Sequence, residues 1–500
     1  MRVLFVTAEV FPLAKTGGLA DVCAGLPAML AELGVDVRLM MPAYPQAFER
    51  AIRKQVIANL PGLVGAPPSR IISALTPDSH LPVLLLDCPE LYRRSGGPYQ
   101  DREGRDWPDN AQRFALLSQA AARVALGEVL SDWRPDVVHA NDWHTGLLPA
   151  YLSLSGGPRP ATLFTIHNLA FQGVFPGEVF GSLGLPAGTF SPEGIEFHGR
   201  VSFLKAGLRY SDKLTTVSPT YAQEILTPAH GCGLDGLLRT RAADLVGILN
   251  GIDELVWSPA NDRHLPEPYD ADHLAGKQAC KAYLQRELGL VDDGRPLIGM
   301  VSRLTQQKMA DTVAENVHKI TAHGAQLALV GDGDKEIESV FLAVANENPR
   351  QVAVHIGYQE PLAHRLFAGA DIILAPSRFE PCGLTPIYAM RYGTLPVVRF
   401  TGGMADAVTP ANQQTSREGS ATGFAFEHAT SEDMLAGIAQ ALGAYEHSSP
   451  WRRMQLQAMY RECGWMKSAR RYLMLYEELV RKTASGRDLY HFDMSEPCRT

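Results

Sequence analysis

No two cysteines in this chain stand in a Cys-x-x-Cys spacing, and no apolar run approaches the roughly 20 residues that a bilayer-crossing helix needs. The seven cysteines, Cys23, Cys88, Cys232, Cys280, Cys382, Cys463 and Cys498, are odd in number and scattered. That pattern argues against a disulfide framework and a zinc ribbon, and no His/Cys/Asp set has metal-ligand spacing, so neither a metal nor a cofactor is expected. Long basic runs are missing as well: 46 Lys+Arg stand against 54 Asp+Glu, a formal net charge of -8. Nucleic acid and anionic membranes therefore find no electrostatic footprint. The opening "MRVLFVTAEVF" lacks the length and cleavage site of a secretory leader, and Glu9 interrupts its apolar run. A cytoplasmic protein without nucleic-acid or membrane partners is the expectation.

What the chain does have is length and rhythm. At 500 residues and 46% hydrophobic content it exceeds one core, which predicts two domains. Short apolar runs alternate with helical stretches, the pattern of α/β domains whose parallel sheets are flanked by helices. The first half offers strands at Val3–Ala8, Val35–Met41, Pro82–Asp87, Asp136–Ala140, Thr162–His167 and Lys213–Ser218, with helices at Leu19–Gly34 and Asn110–Leu130. The second half repeats the rhythm at Pro296–Ser302, Gln326–Gly333, Val352–Gly357, Asp371–Ser377 and Leu395–Phe400. An Asn-Gly turn and a Pro-containing stretch within Val246–Asp262 mark the boundary, and Trp451–Lys482 reads as terminal helices before a frayed tail.

Open α/β sheets bind ligands at the carboxyl ends of their strands. After the first strand comes "KTGGLADV", where glycines at 17 and 18 and the charge of Lys15 suit an anion at a helix start. An ordinary helix start with Thr16 as cap explains the same residues about equally well. Later strands are followed by "NDWHTG", "HNLAFQG", "SRLTQQK" and "SRFEPCGLTP". Singly, Asp142 and His144 read as a helix cap, His167 as a core histidine, and Arg303 with Lys308 as a solvated pair. Together these polar clusters point to one ligand rim. Arg303 and Lys308 can neutralise a diphosphate, and Glu380 lies beside a turn whose amides can meet hydroxyls. Loss of a diphosphate from a sugar leaves oxocarbenium character that a carbonyl or carboxylate offsets. The phrase "TGG-x-AD" occurs twice, at Thr16–Asp21 and Thr401–Asp406.

The ordered set "KTGGLADV", "NDWH", "HNLAFQG", "LKAGLRYSDKLTTVSPTYAQEI", "GILNGID", "VSRLTQQK", "SRFEPCGLT" and "RYGTLPVVRFTGGMADAV" resembles the bacterial glycogen synthases and their plant starch synthase relatives, over nearly the whole chain. The resemblance implies a GT-B fold: two Rossmann-like, doubly wound domains with an interdomain cleft. The expected domains are 1–247, completed by a helix at about 465–482, and 248–464, with a flexible tail at 483–500. It further implies retaining transfer of glucose from ADP-glucose to the non-reducing end of an α-1,4-glucan such as glycogen. Carried over by position, Lys15 and Gly18 meet the donor, with Asp21 supporting their loop. Tyr99, Asp142 and Asn168 surround the glucosyl ring, and His167 offers its carbonyl to the anomeric centre. Arg303 and Lys308 hold the diphosphate, and Tyr358 packs near adenine. Glu380 is the catalytic carboxylate, with Cys382, Gly383, Leu384 and Thr385 beside it, and Gly402 and Gly403 offer amides. Another retaining GT-B transferase, or a glucan-binding paralogue without turnover, is the alternative.

Two positions depart from the family pattern. Met309-Ala310-Asp311 replaces the usual Gly-Leu-Asp after Lys308, and Pro386 replaces Gln. If residue 309 takes positive φ, Met costs about 1 kcal/mol or more there and can shift Lys308. Proline in a first helical turn is tolerated.

Overall fold

A buried β-type run has no partner for its backbone except another such run, and in this chain those runs assemble into two parallel sheets. The computed structural model describes the backbone of residues 1–491 and the side chains of residues 1–483. In chain order the first series of strands is Arg2–Val6 (β1), Asp36–Pro42 (β2), Ile52–Leu60 (β3), Ser69–Leu75 (β4), Pro82–Asp87 (β5), Val137–Asn141 (β6) and Ala161–Ile166 (β7). Val174–Phe175 (β8), Glu196–Phe197 (β9), Arg200–Ser202 (β10), Lys213–Thr216 (β11) and Leu245–Gly247 (β12) follow. The second series is Leu297–Val301 (β13), Gln326–Gly331 (β14), Val352–Ile356 (β15), Ile372–Ala375 (β16), Leu395–Arg399 (β17) and Phe424–Phe426 (β18).

The chain divides into two compact units. One comprises Met1–Val217, Ala222–Gly251 and the stretch from Trp465 onward; the other comprises Ser218–Tyr221 and Ile252–Gly464.

The first unit is built on a nine-stranded sheet ordered β12-β11-β7-β6-β1-β2-β5-β4-β3. Its central strands are parallel and fully buried, with Val3, Leu4, Phe5 and Val6 at 0% exposure, which is why they read as continuous apolar runs. Beyond β5 the sheet turns antiparallel through β4 and β3. Neither of these strands was foreseen: β3 reads IRKQVIANL, a mostly exposed edge without the apolar run that marks a buried strand. The three-stranded antiparallel sheet β8-β10-β9 went unseen too, its strands being two or three residues long. The helix Trp465–His491 packs on this unit. Gly25 has no room for a side chain against the Trp465 indole, and the Tyr476 hydroxyl lies 2.7 Å from His139 Nδ1. That helix continues past the expected end at 482, and the remainder of the expected tail, 492–500, lies outside the described residues.

The second unit has an all-parallel six-stranded sheet ordered β15-β14-β13-β16-β17-β18. Each sheet has a place where strand order reverses. β1 pairs with β2 on one side and β6 on the other, and β13 pairs with β14 on one side and β16 on the other. Loops leaving the carboxyl ends at such a point diverge and leave a crevice. Among the described residues no helix is long and apolar enough to cross a membrane, and no group of His, Cys, Asp and Glu is placed to hold a metal.

Candidate active site

In the first unit, the loops after β1, β6 and β7 carry the candidates. Glu9, three residues past β1, is buried, and its Oε2 accepts the backbone N–H groups of Thr16 (2.5 Å) and Gly17 (3.3 Å), while Oε1 accepts the Tyr99 hydroxyl. Burial pushes the Glu9 carboxyl above the usual carboxylate range, against those hydrogen bonds. Sequence reasoning missed this residue, treating it only as a break in an apolar run. Glu9 also corrects the capping alternative for Thr16. The helix Gly18–Glu32 begins at Gly17 as N-cap with no side-chain cap, and the Thr16 amide is taken by Glu9. Gly17 and Gly18 are exposed. Lys15 pairs with Asp21 at 2.8 Å.

Tyr99 is fixed from behind. Its carbonyl accepts from Asn110 Nδ2 (2.9 Å), and buried Arg113 donates to the Pro98 carbonyl (2.8 Å) and to Asn110 Oδ1 (2.6 Å). The Tyr99 ring stacks on His144 with centroids 4.5 Å apart. His144 is buried, neither ring nitrogen has a hydrogen-bond partner, and burial keeps it neutral by lowering its pKa well below the ordinary value.

Asp142 follows β6 at φ 58°, ψ -179°, a region that costs a non-glycine residue about 1–3 kcal/mol. Its carboxyl is pushed up to about 8, chiefly by burial, and is met by the backbone N–H groups of Trp143, Asn168 and His167. One of its oxygens, Oδ1, is buried without a partner. No side-chain hydrogen bond from Asp142 caps the one-turn helix Trp143–Thr145, which removes the plain helix-cap reading. His167 lies 3.0 Å from Asn141 through Nε2, and burial lowers its pKa to about 3. Asn168 turns its own loop, its Oδ1 accepting the Ala170 N–H at 3.1 Å.

In the second unit, Arg303 leaves the end of β13 and Lys308 closes the one-turn helix Gln306–Lys308. Lys308 Nζ pairs with Glu380 Oε2, which also accepts from Ser377 Oγ at 3.0 Å. The two loops are tied together by Arg378, which grips Asp311 with two 2.8 Å bonds, bonds the Gln306 carbonyl and donates its own N–H to the Gln307 carbonyl at 2.7 Å. Sequence spacing gave no sign of this tie. Met309 adopts the left-handed conformation, φ 53° and ψ 27°, and is completely buried. The 309 position therefore does need positive φ, yet Lys308 still reaches Glu380.

Gly383, at φ 79°, starts the helix Leu384–Arg391 with no side-chain cap. Pro386 falls in its first turn, where its missing N–H costs nothing, so the amides of Leu384 and Thr385 remain the donors at this helix start. Cys382 is buried beside it, and Tyr358 stands half exposed after β15.

The second glycine pair differs from the first. Gly402 and Gly403 are buried, and the Gly403 N–H donates to the Glu380 carbonyl at 2.9 Å. A Cβ on Gly403 would lie 1.9 Å from the Cys382 carbonyl oxygen. Gly403 thus buttresses the Glu380 loop, a correction to the expectation that its amide is offered to a ligand.

Known proteins match this chain in two stretches and along nearly its whole length. Residues 2–240 match the starch synthase catalytic domain family, and residues 284–454 match glycosyl transferases group 1. A glycogen synthase of Burkholderia thailandensis is 52% identical over 95% of this chain and 90% of its own length. One from Paramagnetospirillum magneticum is 50% identical over 96% of this chain and 98% of its own. Among solved structures, the catalytic domain of starch synthase IV from Arabidopsis thaliana, bound to ADP and acarbose, superposes with a TM-score of 0.87 at 31% identity, covering 96% of this chain and 99% of that one. A sucrose-phosphate synthase from Thermosynechococcus elongatus shares the fold, at 17% identity and a TM-score of 0.58 over 96% of this chain and 99% of that one.

Proposed function

The chain belongs to the family of bacterial glycogen synthases and plant starch synthases, and from that premise we propose that ADP-glucose is its donor and that the two strand-end constellations divide the work of transfer. Its reaction is glucosyl transfer to an α-1,4-glucan, by a glycosyltransferase of GT-B type. The adenine nucleotide is supported by the starch synthase IV structure, which holds ADP.

The observation that carries the reading is the content of the second sheet's reversal point. Two adjacent strand-end loops bring Lys308 onto the Glu380 carboxylate beside a helix start without a side-chain cap, and Arg303 belongs to the same loop as Lys308. Arg303, Lys308 and the amides of Leu384 and Thr385 suit a diphosphate whose charge grows as it departs. Glu380 balances Lys308. When the diphosphate takes Lys308, Glu380 is released toward the sugar, where its negative charge offsets oxocarbenium character. Cys382 and Gly383 shape that turn, Gly402 and Gly403 back it, and Tyr358 packs against the adenine.

The first unit's groups suit the sugar. Asp142, mostly protonated at neutral pH, both donates and accepts at a hydroxyl. Tyr99 and Asn168 line the same ring, the His167 carbonyl faces the anomeric carbon, and Lys15, steadied by Asp21, meets the donor beside Gly18. Configuration is retained.

The donor assignment is tested by following nucleotide release and glycogen growth with ADP-glucose and UDP-glucose in parallel. Faster transfer from ADP-glucose is expected; a preference for UDP-glucose overturns it.

A further inference from the structure

Asn141 and His167 sit at the ends of the adjacent parallel strands β6 and β7, where Asn141 pairs in register with Thr165. Asn141 is 1% exposed, so its amide must be satisfied from within. Its Nδ2 lies 3.1 Å from the Val6 carbonyl oxygen on β1 and 3.4 Å from that of His139, both of which only accept. Turning the amide over would set its oxygen against the two carbonyl oxygens of Val6 and His139 and forfeit both hydrogen bonds. The orientation is therefore fixed: Oδ1 faces His167 Nε2 at 3.0 Å. Since a carbonyl oxygen can only accept, the proton of the neutral imidazole belongs on Nε2, and Nδ1 keeps its lone pair.

We propose that Asn141 is a positioning residue that holds His167 in the neutral Nε2–H tautomer, so that His167 Nδ1 accepts a hydrogen bond from a sugar hydroxyl and the ring never serves as a proton donor to the substrate. The strand polarity does the work. The Val6 carbonyl orients the amide, and the amide orients the ring's proton. This rests on the proposed placement of His167 at the donor sugar. The titratable groups facing His167 are His139 on β6 and His144 in the turn after it, both kept neutral by burial, and Asp142, whose carboxyl accepts the His167 backbone N–H. None supplies a positive charge that would compete for the lone pair.

Histidine-selective 15N labelling of the full chain, with long-range proton–nitrogen correlation and a His167→Gln variant for assignment, reads the tautomer directly. At pH 7 the His167 spectrum should show a protonated Nε2 and a bare Nδ1; a protonated Nδ1, or an imidazolium, overturns the proposal. A second arm uses Asn141→Asp. A carboxylate at that position raises the His167 pKa by about 1–3 units, from about 3 to between about 4 and 6. Relative to the unaltered chain, kcat of the variant should then fall by about twofold to a hundredfold between pH 7 and pH 4. A pH profile identical to that of the unaltered chain counts against the proposal, because a residue that merely knits β1 to β6 would leave the profile alone. The tautomer is observed without turnover, so an enzyme with the expected spectrum that fails to use ADP-glucose overturns the donor assignment only.

Discussion

Replacing Met309 by glycine restores the residue its family relatives commonly carry, and the structure predicts that the protein becomes less stable for it. Two effects oppose each other. The left-handed backbone at φ 53° costs a non-glycine residue about 1–2 kcal/mol, which Met309→Gly relieves. The side chain, however, is completely buried, and truncating a buried methionine costs about 2–5 kcal/mol. Burial wins at the centre of both ranges, and Met309→Gly should lose about 2 kcal/mol net. Met309→Ala separates the terms, since it loses the packing and keeps the strain. In thermal unfolding, the transition of the second unit in Met309→Gly should lie below that of the unaltered chain and about 2–8 °C above that of Met309→Ala. A glycine variant as stable as the unaltered protein would refute the packing argument, and one no more stable than the alanine variant would refute the strain argument. Because Lys308 already reaches Glu380 with methionine in place, the glycine variant should gain no activity.

Lys308→Ala and Glu380→Ala should each lower transfer by about a hundredfold or more while the fold persists; near-normal rates in both would remove these residues from the chemistry. Arg378→Ala should cost less than about 1 kcal/mol of stability, since its pair with Asp311 is one-third exposed, yet slow transfer by about tenfold or more by loosening the Lys308 loop. Equal kcat with a lowered melting temperature would assign Arg378 to stability alone. Asp142 binds its proton up to about pH 8 when folded, against about 3.9 unfolded, so its contribution to stability falls as pH rises between those values. The stability advantage of Asp142→Asn over the unaltered chain should accordingly grow from pH 5 to pH 8. A constant difference would contradict the raised carboxyl.

The parallel cores of both units were legible because strands buried on both faces must be written as unbroken apolar runs; β5, Pro82–Asp87, coincides with its expected range. The edge strand β3 and the short β8, β9 and β10 were not, since exposed or two-residue strands carry no such run. At the site, residues following strand ends were found because the sheet's geometry sends ligands there. What position along the chain cannot reveal is a partner remote in sequence. Glu9 takes its meaning from Thr16, Gly17 and Tyr99, and Arg378 takes its meaning from Asp311. An acidic residue interrupting an apolar strand end was the available signal for Glu9. The repeated glycine phrase looked like one device used twice. It is an exposed helix start at Gly17–Gly18 and a buried buttress for Glu380 at Gly402–Gly403.

The most direct test is to incubate the full chain with ADP-glucose and a short α-1,4-glucan and to follow the anomeric protons of the product by NMR as ADP is released. New α-1,4 linkages at the non-reducing end, one for each ADP, are the predicted result. Release of ADP without a new linkage, or a new linkage of β configuration, would contradict the account.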